Sequence, residues 1–103
     1  MIVYVKNVAE FEEVIKSGKV LVDFWAPWCG PCRMLGPVLE EIDAHNDGSF
    51  TIAKVNVDDL GEIASRFSIF SIPTMILFKD GKAAATKVGY VPRGPLERFI
   101  QGN

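Results

Sequence analysis

The chain has 103 residues, which fits one domain of ordinary size, so we predict a single domain spanning residues 1–103. Hydrophobic residues make up 49% of the sequence and charged residues 23%, a composition that argues against intrinsic disorder. The net charge is −2, so we expect no strong electrostatic attraction to nucleic acid or to an anionic membrane. There is no apolar run of roughly 18 residues, and the first residues lack the pattern of a signal peptide, so we expect a cytoplasmic protein outside the membrane.

The first quarter of the chain predicts a strand, a helix and a second strand. Residues 2–5 are apolar and rich in β-branched side chains, as strands are. Asn7 and Glu10 have the spacing of a helix-capping pair, and an apolar period of 3.6 residues then continues until Gly18. Residues 20–25 are almost continuously apolar, which indicates a central strand buried on both faces.

The middle of the chain predicts a long helix, a strand and a short helix. The long helix runs from about Cys29 to His45, and we expect Pro37 inside it to bend it. Residues 50–57 form the next predicted strand. Asp59 and Glu62 again have the spacing of a capping pair, so we expect them to begin the short helix.

The last third predicts a hairpin and a final helix. Residues 74–78 and 83–88 are two strand-like runs that flank Asp80-Gly81, a pair typical of tight hairpin turns. Pro95 lies in the first turn of the last helix, where a missing N–H costs nothing. The order βαβαβα followed by ββα predicts an α/β fold, with a mixed sheet covered by helices on both faces.

The segment Trp28-Cys29-Gly30-Pro31-Cys32 is the strongest chemical signal, and it lies where the central strand gives way to the long helix. Its spacing places the two sulfurs within one helical turn. The N–H groups and dipole at a helix start favour a thiolate on Cys29, the form that attacks disulfides. Cys32 lies one turn inside the helix, so we expect it to be more buried and less ionised. Trp28 has an amphipathic ring suited to the rim of a binding surface.

Three other interpretations of the cysteines are weaker. A zinc site needs about four ligands, and beyond the pair only His45 offers a nitrogen. A structural disulfide would close a ring too small to stabilise the fold much. Two inert, buried cysteines conflict with a position at a helix start beside Trp28, which argues for exposure. We therefore predict a redox-active dithiol of Cys29 and Cys32.

Asp23 and Lys54 are charged residues inside predicted strands. Aspartate is depleted in strands and is rarely buried without a partner. Alternation along the strand places Asp23 on the same face as Leu21 and Trp25, beneath the start of the long helix, so burial should raise its pKa. Lys54 lies on the adjacent strand and either approaches Asp23 or extends to solvent; the sequence leaves both open.

The sequence resembles the thioredoxin family over essentially its whole length. The cysteine motif alone is only moderately specific, but an ordered set of further segments accompanies it. These are residues 22–26 before the motif and, after it, Pro37 and residues 53–58, 72–74, 79–81 and 87–89. The resemblance implies a five-stranded sheet of order 1-3-2-4-5 and a dithiol that reduces disulfides in proteins.

The resemblance also implies roles for individual residues. It implies that Asp23 exchanges a proton with Cys32, directly or through a water, and that Lys54 tunes Asp23 by its charge. It places a cis proline at Pro73, whose isomer the spacing alone leaves open. The backbone at Ile72 is implied to pair with an incoming substrate strand.

The remaining implications concern the rim of the site and its partners. Gly89 matches a family glycine on the substrate-binding rim, where the absence of a side chain permits close approach. Gly30 and Pro31 resemble the pair found in reducing members. The expected partners are protein disulfides and a thioredoxin reductase as electron donor, for a monomer without metal, nucleotide or flavin. A binding subunit with an incidental dithiol and a disulfide oxidase or isomerase are the alternatives.

Overall fold

The computed structural model describes all residues, Met1–Asn103. Five strands and four helices follow one another along the chain in the order that the sequence predicts. The strands are β1 (Ile2–Tyr4), β2 (Lys19–Trp25), β3 (Thr51–Asn56), β4 (Thr74–Lys79) and β5 (Lys82–Val88). The helices are α1 (Val8–Ile15), α2 (Gly30–Ala44), α3 (Gly61–Arg66) and α4 (Arg93–Gln101).

The five strands form one mixed sheet in the order β1-β3-β2-β4-β5, which confirms the order implied by the family resemblance. Strands β1, β3 and β2 run parallel to one another, and β4 runs antiparallel to both β2 and β5. This arrangement places β2 in the centre of the sheet, so the segment that follows β2 begins near the middle of one sheet end.

Helices cover both faces of the sheet, and each face has its own apolar core. On one face, Leu21 of β2 belongs to a cluster with Leu35 and Leu39 of α2 and with Leu96 of α4. On the other face, β2 contributes Val20, Val22 and Phe24, which cluster with residues of α1 and α3. The prediction that the central strand is buried on both faces is therefore confirmed.

Two of the predicted local signals are confirmed in detail. The side chain of Asn7 accepts a hydrogen bond from the N–H of Glu10 at 2.8 Å, while the Glu10 carboxylate accepts from the N–H of Lys6 at 3.0 Å. In the hairpin, Asp80 and Gly81 both have positive φ, 50° and 87°. Such angles are what the tight turn between β4 and β5 requires.

The predicted cap of α3 is wrong. This helix begins after Leu60 and has no side-chain hydrogen bond at its N-terminus. The carbonyl of Asn56 accepts the N–H groups of both Asp59 and Leu60, so a turn at the end of β3 places Asp59 before the helix. No helix combines the length and the apolar content that crossing a membrane requires.

Candidate functional site

The two cysteines lie where β2 has ended and α2 begins. Cys29 is the N-cap residue of α2, with an extended backbone, and its sulfur accepts a hydrogen bond from the N–H of Cys32 at 3.2 Å. Pro31 occupies the first turn, as expected for a residue that lacks the N–H. The unpaired N–H groups and the dipole of the fifteen-residue helix α2 stabilise negative charge on Cys29 when its sulfur is a thiolate.

Cys29 and Cys32 are joined by a disulfide, with their Cα atoms 5.2 Å apart. Only 5% of Cys29 and 3% of Cys32 is exposed, so the expectation that Cys29 is exposed is wrong. The cysteines are buried by packing that the local sequence does not reveal. Ala26 is buried with them, and Trp25 and Ile72 pack against them. An incoming disulfide would meet the sulfur of Cys29 within a rim of neighbouring residues.

Trp28, the aromatic residue of the cysteine segment, is exposed, with 67% of its surface accessible. Its indole N–H donates a hydrogen bond of 3.0 Å to the carboxylate of Asp58, in the turn that follows β3. Asp58 therefore fixes the orientation of the ring on the rim. The sequence analysis did not single out Asp58, because thirty residues separate it from Trp28 and no local pattern connects them.

Arg33 is a second residue of the site that the sequence analysis missed. Its guanidinium donates a hydrogen bond of 2.9 Å to the carbonyl of Pro27. The bond ties the first turn of α2 to the loop that carries Trp28. No local sequence pattern predicts this bond between residues six positions apart.

The loop before β4 lies against the disulfide. The peptide bond between Ile72 and Pro73 is cis, as the family resemblance implies. The carbonyl oxygen of Ile72 is 3.7 Å from the sulfur of Cys29. This contact brings residues 72 and 73 to the cysteines across more than forty residues of sequence.

Gly89 adjoins the same loop, since its N–H donates a hydrogen bond of 2.7 Å to the carbonyl of Pro73. Its φ is +91°, a conformation that glycine adopts readily and other residues rarely do. A Cβ atom at this position would have no neighbour within 4 Å, so the space over Gly89 is open to an approaching chain.

Asp23 is completely buried in the centre of the sheet, and neither of its carboxyl oxygens has a hydrogen-bond partner. Burial disfavours the ionised form and raises the pKa of Asp23 from 3.8 to about 7, although the positive charge of Lys54 opposes this rise. The predicted upward shift is therefore present and has the expected cause. A carboxyl group with such a pKa gains and loses its proton near neutral pH.

The sequence left open whether Lys54 approaches Asp23 or extends to solvent, and its position lies between these two alternatives. Lys54 and Asp23 are register partners on neighbouring parallel strands. The ammonium makes no ion pair and lies over the ring of Trp25, 4.6 Å from its centroid. Lys54 thus acts on Asp23 by charge without a direct contact.

Comparison with known proteins gives one consistent result. The family model described as Thioredoxin matches residues 2–102. The chain is 55% identical over 91 residues to a thioredoxin of Alicyclobacillus acidocaldarius, covering 86% of each protein. It is 42% identical over 99 residues to a thioredoxin of Mycoplasmoides gallisepticum, covering 95% of this chain and 98% of that one.

Solved structures agree with these sequence relatives. The fold matches that of a Malassezia sympodialis thioredoxin with a TM-score of 0.91 and 35% identity, over 98% of this chain and 91% of the other. A thioredoxin variant from Halobacterium salinarum matches with a TM-score of 0.90 and 34% identity, over 98% and 88% of the two chains. No observation favours a binding subunit with an incidental dithiol, or an oxidase or isomerase. The chain belongs to the thioredoxin family, and it is a thiol–disulfide reductase with a redox-active pair of cysteines.

Proposed function

We propose that Cys29 is the attacking thiol and Cys32 the resolving thiol in the reduction of protein disulfides. The observation that carries this assignment is the position of Cys29 as the N-cap of α2, with its sulfur 3.2 Å from the N–H of Cys32. That N–H and the helix dipole favour the thiolate on Cys29. Cys32 lies inside the first turn and has no comparable position at the helix end.

The reaction then proceeds in two exchanges. The Cys29 thiolate attacks one sulfur of the target disulfide, which forms a mixed disulfide and releases one target thiolate. The Cys32 thiolate next attacks the sulfur of Cys29, which releases the second target sulfur as a thiolate and forms the Cys29–Cys32 disulfide. Two electrons pass from the dithiol to the target, and a thioredoxin reductase restores the dithiol.

Asp23 is the proposed base for the second exchange. Cys32 must lose a proton before it can attack, and a general base works best when its pKa lies near the working pH. The pKa of Asp23, about 7, meets this condition, and the charge of Lys54 limits how far burial raises it. Lys54 accordingly tunes the pKa of Asp23. Gly30 and Pro31 set the geometry of the ring that the Cys29–Cys32 disulfide closes.

A target disulfide docks, in this proposal, as a short extended segment over the rim. Trp28 offers an exposed ring, and the cis bond between Ile72 and Pro73 presents backbone beside Cys29. Gly89 leaves open space next to Pro73. Recognition through backbone pairing reads few side chains, which suits a reductant of many proteins.

The proposed mechanism also bears on the oligomeric state of the protein and on its location in the cell. The two exchanges use one dithiol from one chain, so we propose that the protein works as a monomer. A reductase must be kept reduced by its surroundings, and the cytoplasm provides such an environment. We therefore propose a cytoplasmic location. No metal, nucleotide or flavin takes part in the proposed steps.

The assignment of the two thiols is tested by trapping. In a cell extract, the Cys32→Ser variant should accumulate mixed disulfides with target proteins, because the second exchange is blocked. The matched Cys29→Ser variant should accumulate none, since it lacks the attacking thiol. Non-reducing gels followed by identification of the captured proteins give the readout. Equal trapping by both variants would show that the roles are assigned wrongly.

A further inference from the structure

A row of three polar side chains crosses the parallel part of the sheet. Tyr4 of β1 is the register partner of Lys54 of β3, and Lys54 is the register partner of Asp23 of β2. Partner residues on parallel strands present their side chains to the same face. Lys54 therefore lies between Tyr4, on the edge strand, and Asp23, on the central strand.

The ammonium group of Lys54 lies near two aromatic rings. It lies 4.6 Å from the centroid of the Trp25 ring and 5.8 Å from the centroid of the Tyr4 ring. None of the ion pairs in the protein includes it. A cation within about 6 Å of a ring face is attracted by the electrons of that face. The two rings therefore determine where this charge resides.

Of the two rings, that of Tyr4 lies on the side of Lys54 that faces away from Asp23. Lysine has a flexible stem that extends readily to solvent, and β1 is the outermost strand, so no further strand lies beyond Tyr4. Tyr4 is 52% exposed, at the boundary between the sheet and water. The Tyr4 ring therefore attracts the ammonium away from Asp23, and without it the remaining aromatic neighbour is Trp25 of β2, the strand that also carries Asp23.

We infer that Tyr4 is a positioning residue of the reductase: its ring draws the Lys54 ammonium toward the edge of the sheet and thereby limits the positive charge that the carboxyl group of Asp23 faces. The consequence for catalysis rests on the proposed role of Asp23 as the base for Cys32. Trp25 contributes to the same arrangement, but it also packs against the cysteines. Tyr4 has no contact of that kind, so it can be changed separately.

The other groups around Asp23 place no charge beside it, so Lys54 is the neighbouring charge. Its register partner on β4 is Met75, and the α2 residues that cover this face are apolar. Lys87 of β5 lies further along the same row, but its ammonium is over the Phe99 ring, 5.7 Å from the centroid. The thiols of Cys29 and Cys32 are the remaining titratable groups nearby, and in the oxidised protein they do not titrate.

The experiment is therefore a carbon NMR titration of the Asp23 carboxyl group in the oxidised protein. The variants are Tyr4→Leu, which removes the ring, Tyr4→Phe, which keeps it, and Lys54→Met, which removes the charge. In Tyr4→Leu the pKa of Asp23 should fall by a few tenths of a pH unit, because the ammonium moves closer to the carboxyl group, whereas in Lys54→Met it should rise. Tyr4→Phe should behave as the wild type.

The double variant Tyr4→Leu/Lys54→Met completes the test. Its Asp23 pKa should equal that of Lys54→Met alone, because the ring acts only through the lysine. An unchanged or raised pKa in Tyr4→Leu would overturn the inference, as would an equal fall from Tyr4→Leu when Lys54 is already replaced. The titration involves no thiol chemistry, so it stands apart from the proposed function. If the pKa moves while the pH profile of protein-disulfide reduction does not, the role of Asp23 as base fails and the positioning role of Tyr4 remains.

Discussion

Replacing Asp23 by asparagine should stabilise the oxidised protein at neutral and alkaline pH, by an amount that depends on pH. In the unfolded chain the carboxyl group has an ordinary pKa near 3.8, whereas in the folded protein burial raises it to about 7. Between these values the folded protein holds a proton that the unfolded chain has released. The free energy of unfolding of the wild type therefore falls as the pH rises from about 4 to about 7.

The size of the effect follows from the same two values. A difference of one pH unit corresponds to about 1.4 kcal/mol, so a rise from 3.8 to about 7 corresponds to roughly 4 kcal/mol when the carboxyl group is fully ionised. Below about pH 4 the group is protonated in both states and this contribution is absent. Asparagine has a similar size and no charge, so the variant should show none of this pH dependence.

The measurement is denaturant unfolding of both proteins, with the disulfide intact, at several values of pH from about 4 to about 8. The stability of Asp23→Asn relative to the wild type should increase across this range by roughly 4 kcal/mol. Any fixed cost of burying an amide shifts all points equally and leaves the slope unaffected.

A matched control is Asp47→Asn, which removes an exposed carboxylate. Hydrogen bonds from Ser49 hold the pKa of Asp47 below its usual value, so this group favours the folded protein as the pH rises. The control variant should thus gain no stability at high pH. If Asp23→Asn differs from the wild type by the same amount at every pH, the carboxyl group has the same pKa in the folded and unfolded states, and the reasoning is refuted.

Two further predictions concern contacts that hold local structure. Asn7→Ala should lower the free energy of unfolding by about 1 kcal/mol, since the N–H of Glu10 loses its partner. Urea unfolding measures this change. Asn7→Ser can still cap the helix, so it should retain most of the stability. Asp58→Ala should lower kcat/KM for a protein disulfide about fivefold, equivalent to one hydrogen bond of about 1 kcal/mol, because the Trp28 ring loses its anchor. A small disulfide that does not touch the rim should react at the wild-type rate, and an equal loss for both substrates would contradict a docking role.

Features that depend on nearby residues could be predicted from the sequence. The apolar run of β2, the cap at Asn7 and the Asp80-Gly81 turn each follow from preferences that act over a few residues. The position of the cysteines at the start of α2 is of the same kind. The strand order itself came from the family resemblance, because the local patterns did not determine which strands pair.

Features that depend on distant residues could not be predicted in this way. The Asp58–Trp28 hydrogen bond and the burial of Cys29 arise when separate segments meet in the folded chain. The position of Lys54 was undetermined for the same reason, since it depends on the register of three strands. The wrong prediction of a cap at Asp59 has a local cause. The carbonyl of Asn56 accepts the N–H groups of Asp59 and Leu60, and the turn so formed places Asp59 before the helix.

The burial of Asp23 connects the stability of the protein with its chemistry. A carboxyl group with an ordinary pKa would be a weak base at neutral pH, whereas one with a pKa of about 7 can both accept and release a proton. The burial that produces this property also destabilises the ionised protein, so one substitution should relieve the folding cost and slow the release of reduced targets. Asp23 stands between Val22 and Phe24 in an otherwise apolar core strand. Stability alone would favour an apolar residue there, and the proposed exchange of a proton with Cys32 accounts for the aspartate.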